Sequence, residues 1–270
     1  MSKTILCQIK RADSPYYIED IDLYVYSIEE LCYFLCNNLN LVDVTFFGAA
    51  LLDWLGADLQ MAHLVKTLNR ILDEEENPSA EEMILAVVRE IRWLDREEEK
   101  KLIGQMETLA ARPYPVRRKL RADALVTHQK YTRAIATYTG ILRYRKETAA
   151  SEEEGAAVKD NLGEQFDGMV WHNMGVAYAK LFQFDEAAEC MKRANELCYS
   201  HTTLVNYLFC VRLGKGEEAF EKLADELGVD GQTRQKMEAE IENVRFPGFP
   251  ENIRETINRW VHEYHRQTGL

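Results

Sequence analysis

Apolar and polar side chains alternate over the first 26 residues, and from residue 27 onward apolar positions recur every three or four. Residues 4–9 and 16–26 are rich in Ile, Tyr and Val, with a break at Asp13-Ser14-Pro15. This period of two predicts a small β-hairpin over residues 4–26. A lone hairpin is marginal in water, so it is expected to pack on helices. Ser27 and Glu30 have capping-box spacing, in which a hydroxyl and a carboxylate satisfy free backbone amides at a helix start. Leu31, Phe34, Leu35 and Leu39 follow at helical spacing. Ser79 with Glu82 repeats the device ahead of Met83, Leu85, Ala86, Val87 and Ile91, and Asp95 with Glu98 gives a third. Helices are also expected around residues 45–55 and 58–72. Pro113 and Pro115 then break the pattern, because proline cannot continue an α-helix. A domain boundary is expected there, making residues 1–112 an N-terminal helical domain.

After residue 115 the chain becomes self-similar. Trp171, Met174, Gly175 and Tyr178 are followed by Phe184-Asp185-Glu186-Ala187, Met191 and Ala194. This segment, residues 168–201, resembles a tetratricopeptide repeat, with Met in the Leu position of the Trp-x2-Leu-Gly-x2-Tyr signature. In such a repeat the Gly lets two helices approach while Trp, Tyr and Ala fill their seam. The period of 34 places Leu208-Phe209 where Met174-Gly175 stood. Ala122 and Ala134 have the same separation of 12 as Gly175 and Ala187, and Ala122 precedes Gly175 by 53 residues. One repeat plus a 19-residue insertion accounts for that interval, and the acidic, Gly- and Ala-rich stretch 147–163 is the expected loop. Weaker repeats are thus expected at 115–148, carried by Tyr131, Ala134 and Tyr138, and at 202–227, with Gly214-Lys215-Gly216 at its turn. They depart from the pattern at Arg118, Phe209 and Arg212. Helices near 232–244 and 251–267 are expected to cover the last apolar face of the array. The fold expected is mostly α: a TPR-like α-solenoid of about three helix pairs with C-terminal capping helices over 113–270, preceded by the helical domain and hairpin. The N-terminal part also resembles a group of bacterial proteins carrying tetratricopeptide repeats, a likeness that brings no activity with it.

Composition bounds the function more than it names it. At 46% hydrophobic and 29% charged residues the chain has the make-up of an ordinary soluble protein. The longest apolar run, residues 46–52, is far short of a membrane span. No secretory signal is expected from the first nine residues. The six cysteines include no Cys-x-x-Cys pair, so reduced thiols in a cytoplasmic protein are expected. The formal net charge of -12 disfavours nucleic acid, yet the charge is segregated. Residues 73–99 hold eleven acids against three arginines, whereas residues 112–146 hold ten basic side chains against Asp123 alone. Either the basic stretch docks on the acidic N-terminal helices or on the Glu152-Glu153-Glu154 loop, or it meets an acidic peptide or nucleic acid. Internal docking is favoured, since complementary runs close in sequence neutralise each other locally.

The resemblance implies a non-enzymatic adaptor that holds a protein or peptide partner in a groove lined by the first helix of each repeat. The positions it places there are Lys119 and Asp123, then His172, Asn173, Val176 and Lys180, then Asn206, Tyr207 and Cys210. An Asn such as Asn173 can bond a peptide amide and carbonyl together, or it can tie neighbouring helices; both readings stand. A clamp for a C-terminal carboxylate is rejected, because Asp123 would repel the ligand and Thr203 and Tyr207 replace the expected cations. The alternative function is a regulator that senses a peptide or contacts nucleic acid through the basic stretch 112–146. No cofactor or metal site is expected. His262 and His265 lack a third ligand, His63, His128 and His201 are isolated, and there is no phosphate loop or nucleophile with a base and orienter.

Overall fold

The computed structural model describes residues 11–74, 78–150 and 162–245. The expected strand at 4–9, the Glu152-Glu153-Glu154 loop, Phe246-Pro247-Gly248-Phe249-Pro250, the helix at 251–267 and the His262/His265 pair lie outside them. By its contacts the chain divides into two compact units, residues 1–204 and 205–270.

The first unit opens with an antiparallel hairpin, β1 (Tyr16–Ile18) and β2 (Leu23–Val25), in the register Tyr16 to Val25, Tyr17 to Tyr24 and Ile18 to Leu23. The stretch 16–26, expected to be one strand, is therefore itself the hairpin. Its turn holds Glu19, Asp20 and Asp22, with Asp22 at φ 52, a conformation that Asp tolerates better than most residues. Two facts fix its packing: Ile18 and Val25 are buried, and Trp54 donates its indole N–H to the Ser14 carbonyl at 2.9 Å.

Helices α1 (Ile28–Asn37), α2 (Ala49–Ala57), α3 (Ala62–Glu74), α4 (Ala80–Glu90) and α5 (Arg96–Ala110) follow, with short 3-10 turns at Leu39–Leu41 and Val44–Phe47. The capping spacings mark three of the helix starts. Asp95 and Glu98 form a complete box, Asp95 accepting from the Glu97 and Glu98 amides while Glu98 accepts from the Asp95 amide. At α1 the Ser27 hydroxyl accepts from the Glu30 amide, but the Glu30 carboxylate reaches one residue further back, to the Tyr26 amide at 2.6 Å. At α4 only the Ser79 half forms. The helix expected at 45–55 is split at Gly48, the N-cap of α2. A core of Ile28, Leu31, Phe34, Leu35, Phe47, Leu51, Leu55, Leu64, Leu68, Met83 and Val87 lies beneath these elements.

Pro113 and Pro115 do not merely interrupt. They are the N-cap and second residue of α6 (Tyr114–Thr127), where a missing N–H loses no helical bond. α6 pairs with α7 (Tyr131–Ala150), and α8 (Glu164–Lys180) pairs with α9 (Phe184–Leu197). Ala122, Ala134, Tyr138, Val170 and Met174 fill a second core, which Leu41 of the first 3-10 turn also enters. Gly175 sits where the seam is closest: a Cβ there would stand 3.0 Å from Met191 Cε, 3.2 Å from Cys190 Cβ and 3.3 Å from the Ala187 carbonyl. α8 ends with Phe182 at φ 61, its amide bonded to the Ala179 carbonyl and that of Gln183 to the Tyr178 carbonyl. That closing motif normally takes glycine.

α10 (His201–Lys215) runs across the division after Leu204. α11 (Glu217–Glu226) and α12 (Gly231–Arg245) belong to the second unit. There Phe220 and Ala224 are buried, whereas Ala219 is only half-buried. Arg212, 9% exposed, bonds Glu238 of α12 at 2.6 Å.

Candidate functional site

Lys119 and Asp123 lie one turn apart on α6, so they share a face. Lys119 Nζ donates to Asp123 Oδ2 at 2.8 Å. The other carboxylate oxygen, Oδ1, accepts from Tyr138 Oη of α7 at 2.5 Å and from Asn173 Nδ2 of α8 at 2.8 Å. One carboxylate thereby gathers side chains from three helices. Tyr138 is fully buried, while the side chains of Lys119 and Asp123 are 16% and 32% exposed. Burial, then the bond to Asp123 and its charge, push the Tyr138 hydroxyl well above its ordinary pKa.

His172 lies beside Asn173. Its Nδ1 is 3.0 Å from Thr203 Oγ1, which is also 2.9 Å from Ser200 Oγ; Ser200 Oγ in turn accepts from the Thr203 amide at 3.1 Å. Burial, then the nearby Lys119 cation, lower the His172 pKa and favour the neutral ring. Val176, half-buried, and Lys180, exposed, continue from His172 at intervals of four residues. Lys180 has no ion-pair partner among the described residues. Lys119, Asp123, His172 and Asn173 thus come together. Asn206 and Tyr207 are half-buried positions of the second unit. Cys210, in the same unit, is buried and its thiol is pushed up to about 11 by desolvation.

One residue of this network was not assigned to the site from sequence. Tyr138 appeared there only as a repeat-packing aromatic, although a buried tyrosine hydroxyl requires a partner. Asp123, the lone acid of a basic stretch, was the natural acceptor. Asp123 now has its charge met by Lys119 and two further donors, and the amide of Asn173 is bonded within the chain.

The basic stretch is partly consumed in the same way. Arg121 donates to the Leu41 carbonyl at 2.8 Å, to Asp43 at 3.1 Å and to Asp20 at 2.6 Å. Arg133 pairs with Asp20 at 2.8 Å and Glu19 at 3.3 Å, and Lys130 pairs with Asp22. Arg145 binds Asp167 and the Leu162 carbonyl. These partners are the hairpin turn, the loop before α2 and the start of α8, not the acidic run at 73–99.

Among the described residues no group of three or more His, Cys, Asp or Glu side chains is placed to hold a metal ion. His63 faces Glu90 at 3.2 Å and His128 faces Asn38 at 3.2 Å. No helix among them is long and apolar enough to cross a membrane.

Comparison with known proteins adds one finding. No curated protein and no solved structure matches the chain. The family model described as Tetratricopeptide repeat matches residues 168–201, which hold the Gly168 and Gly175 seam between α8 and α9. The chain carries a tetratricopeptide repeat at 168–201.

Proposed function

We propose that the protein is a non-enzymatic adaptor that holds a segment of a partner protein along the first helices of its repeats. The observation that carries this is the Asp123 network: it links α6 and α8, fixes Lys119 and Asn173 in place, and leaves both half-exposed beside His172. Fixed donors lose little freedom when a ligand arrives, so they hold an extended peptide at a smaller entropic cost than free side chains would. Val176 and the unpaired Lys180 extend the row along α8, giving an apolar contact and a cation toward its end. Asn206 and Tyr207 are the proposed contacts of the second unit. Asp123 serves as the anchor of the row and not as a ligand contact.

The test must spare the network. Asn173→Ala would remove a bond to Asp123 as well as a ligand contact, so Val176→Glu/Lys180→Glu is the informative variant, with Lys180→Glu alone beside it. Each is used as bait in a lysate of the source cells, and retained proteins are identified by mass spectrometry. A partner held by wild type and lost by variants of unchanged circular dichroism supports the groove. The same proteins retained by all three would remove it from α8.

A further inference from the structure

Two clefts adjoin on the first unit, meeting at Leu39, Asn40 and Leu109. One, about 220 Å³, lies between the start of α4, the end of α5 and the first turns of α6. The other, about 490 Å³, runs along α5 beside the end of α1. The first has an apolar floor: Val42, Ile84 and Met106 line it with 9%, 2% and 3% of their surface exposed.

Five cations line the pair: Arg117, Arg118 and Arg121 in the first cleft, Lys101 and Arg112 in the second. Only two carboxylates accompany them, both in the first. Asp43 is held by Arg121 at 3.1 Å, and Glu81 accepts the Ser79 hydroxyl at 2.7 Å. The side chains of Arg117, Arg118, Arg112 and Lys101 have no ion-pair or hydrogen-bond partner among the described residues. An acidic chain of net charge -12 thus gathers four uncommitted cations around an apolar slot. Arg121, Lys130 and Arg133 of the same basic stretch are spent on internal pairs, whereas these four are not.

We infer that these clefts take an acidic peptide segment of a partner protein. One apolar side chain sits on Val42, Ile84 and Met106, and carboxylates on either side meet Arg117 and Arg118, then Arg112 and Lys101. Planar guanidinium groups suit carboxylates, and the slot has room for a side chain or two. Nucleic acid fits less well. The chain as a whole repels a phosphate backbone, and the exposed aromatic of the cleft, Tyr114, already packs against Tyr144 with ring centroids 4.9 Å apart. The surface is separate from the α8 row and does not depend on it.

The test uses the full chain and fluorescence anisotropy at 50 mM salt, with the labelled peptide Glu-Glu-Leu-Phe-Glu-Glu amide, its lysine counterpart Lys-Lys-Leu-Phe-Lys-Lys amide, and a twelve-residue oligothymidylate. Expected is saturable binding of the acidic peptide alone, weakened about tenfold or more by Arg117→Glu/Arg118→Glu, as for charge-assisted contacts. Lys180→Glu should leave it unchanged, which separates this surface from the α8 row. Should the arginine pair disturb folding, Lys101→Glu/Arg112→Glu replaces it, both sites being exposed. No saturable binding, equal affinity for wild type and both double variants, or tighter binding of the oligothymidylate would overturn the inference.

Discussion

A Cβ at Gly168 would lie 2.8 Å from the Cys198 Cβ and 3.4 Å from the Ala194 carbonyl, so the ends of α8 and α9 touch backbone against backbone. Gly140, on α7, has nothing within 4 Å of the same construction. The two glycines are therefore expected to answer alanine oppositely. Gly168→Ala should lower stability by about 2 kcal/mol through forced separation of the helices. Gly140→Ala should raise it by up to about 1 kcal/mol through helix propensity. Urea denaturation of the two variants beside wild type reads both, and equal stability of Gly168→Ala would mean the seam has room. His172 supplies a second test. Its pKa is depressed in the fold, so near pH 6.5 the unfolded chain binds a proton that the folded ring resists. The contribution is present above that pH and lost as pH falls through the folded value. His172→Asn should flatten stability between about pH 7 and 5 relative to wild type, measured as urea midpoints across that range. An unchanged slope would show that the ring is as free to ionise in the fold as out of it.

At the level of the helix, caps that look alike in sequence differ in strength. Asp95 accepts two amides at 2.9 and 3.0 Å, and its own amide donates the reciprocal bond to the Glu98 carboxylate. Ser79 accepts one amide at 3.4 Å. Asp95→Ala is expected to cost about 1.5 kcal/mol and Ser79→Ala about 0.5 kcal/mol, read by thermal or urea unfolding; a reversed order would mean the reciprocal bond adds nothing. The serine and aspartate spacings made the starts of α1, α4 and α5 legible, because those signals act within a single turn. Gly175 and Ala187 were legible for a related reason, since their packing demand recurs with the repeat. The hairpin was misplaced because alternation alone does not show where a strand turns, and Asp20 and Asp22 were outweighed by Ile, Tyr and Val around them. On α11 Phe220 is buried and Ala219 only half-buried. The Asp123 network joins residues 50 apart, and no local pattern encodes which donors reach one carboxylate.

On the largest scale, Arg121 decides whether the hairpin, the 3-10 turns and the α6–α7 pair behave as one body. Its side chain is 19% exposed and binds Asp20, Asp43 and the Leu41 carbonyl, while Leu41 itself enters the core of α6, α7 and α8. A charge pairing of this kind adds little by itself, yet removing one member leaves carboxylates and a carbonyl short of a donor in a half-buried place. Arg121→Ala is therefore expected to lower stability by about 2–3 kcal/mol. The informative readout is cooperativity. Trp54 reports the N-terminal core and Trp171 the second core, so single-tryptophan variants retaining one or the other follow the two regions separately. With Arg121 present the two urea transitions should coincide, as for one cooperative unit. In the Arg121→Ala background the Trp54 and Trp171 midpoints should move apart, because fewer links, among them Leu41, Ile21 and the outer pairs of Lys130, Arg133 and His128, then join the regions. Transitions that already differ in the wild-type background would mean the N-terminal helices and the repeat fold as separate bodies, and that Arg121 contributes locally without coupling them.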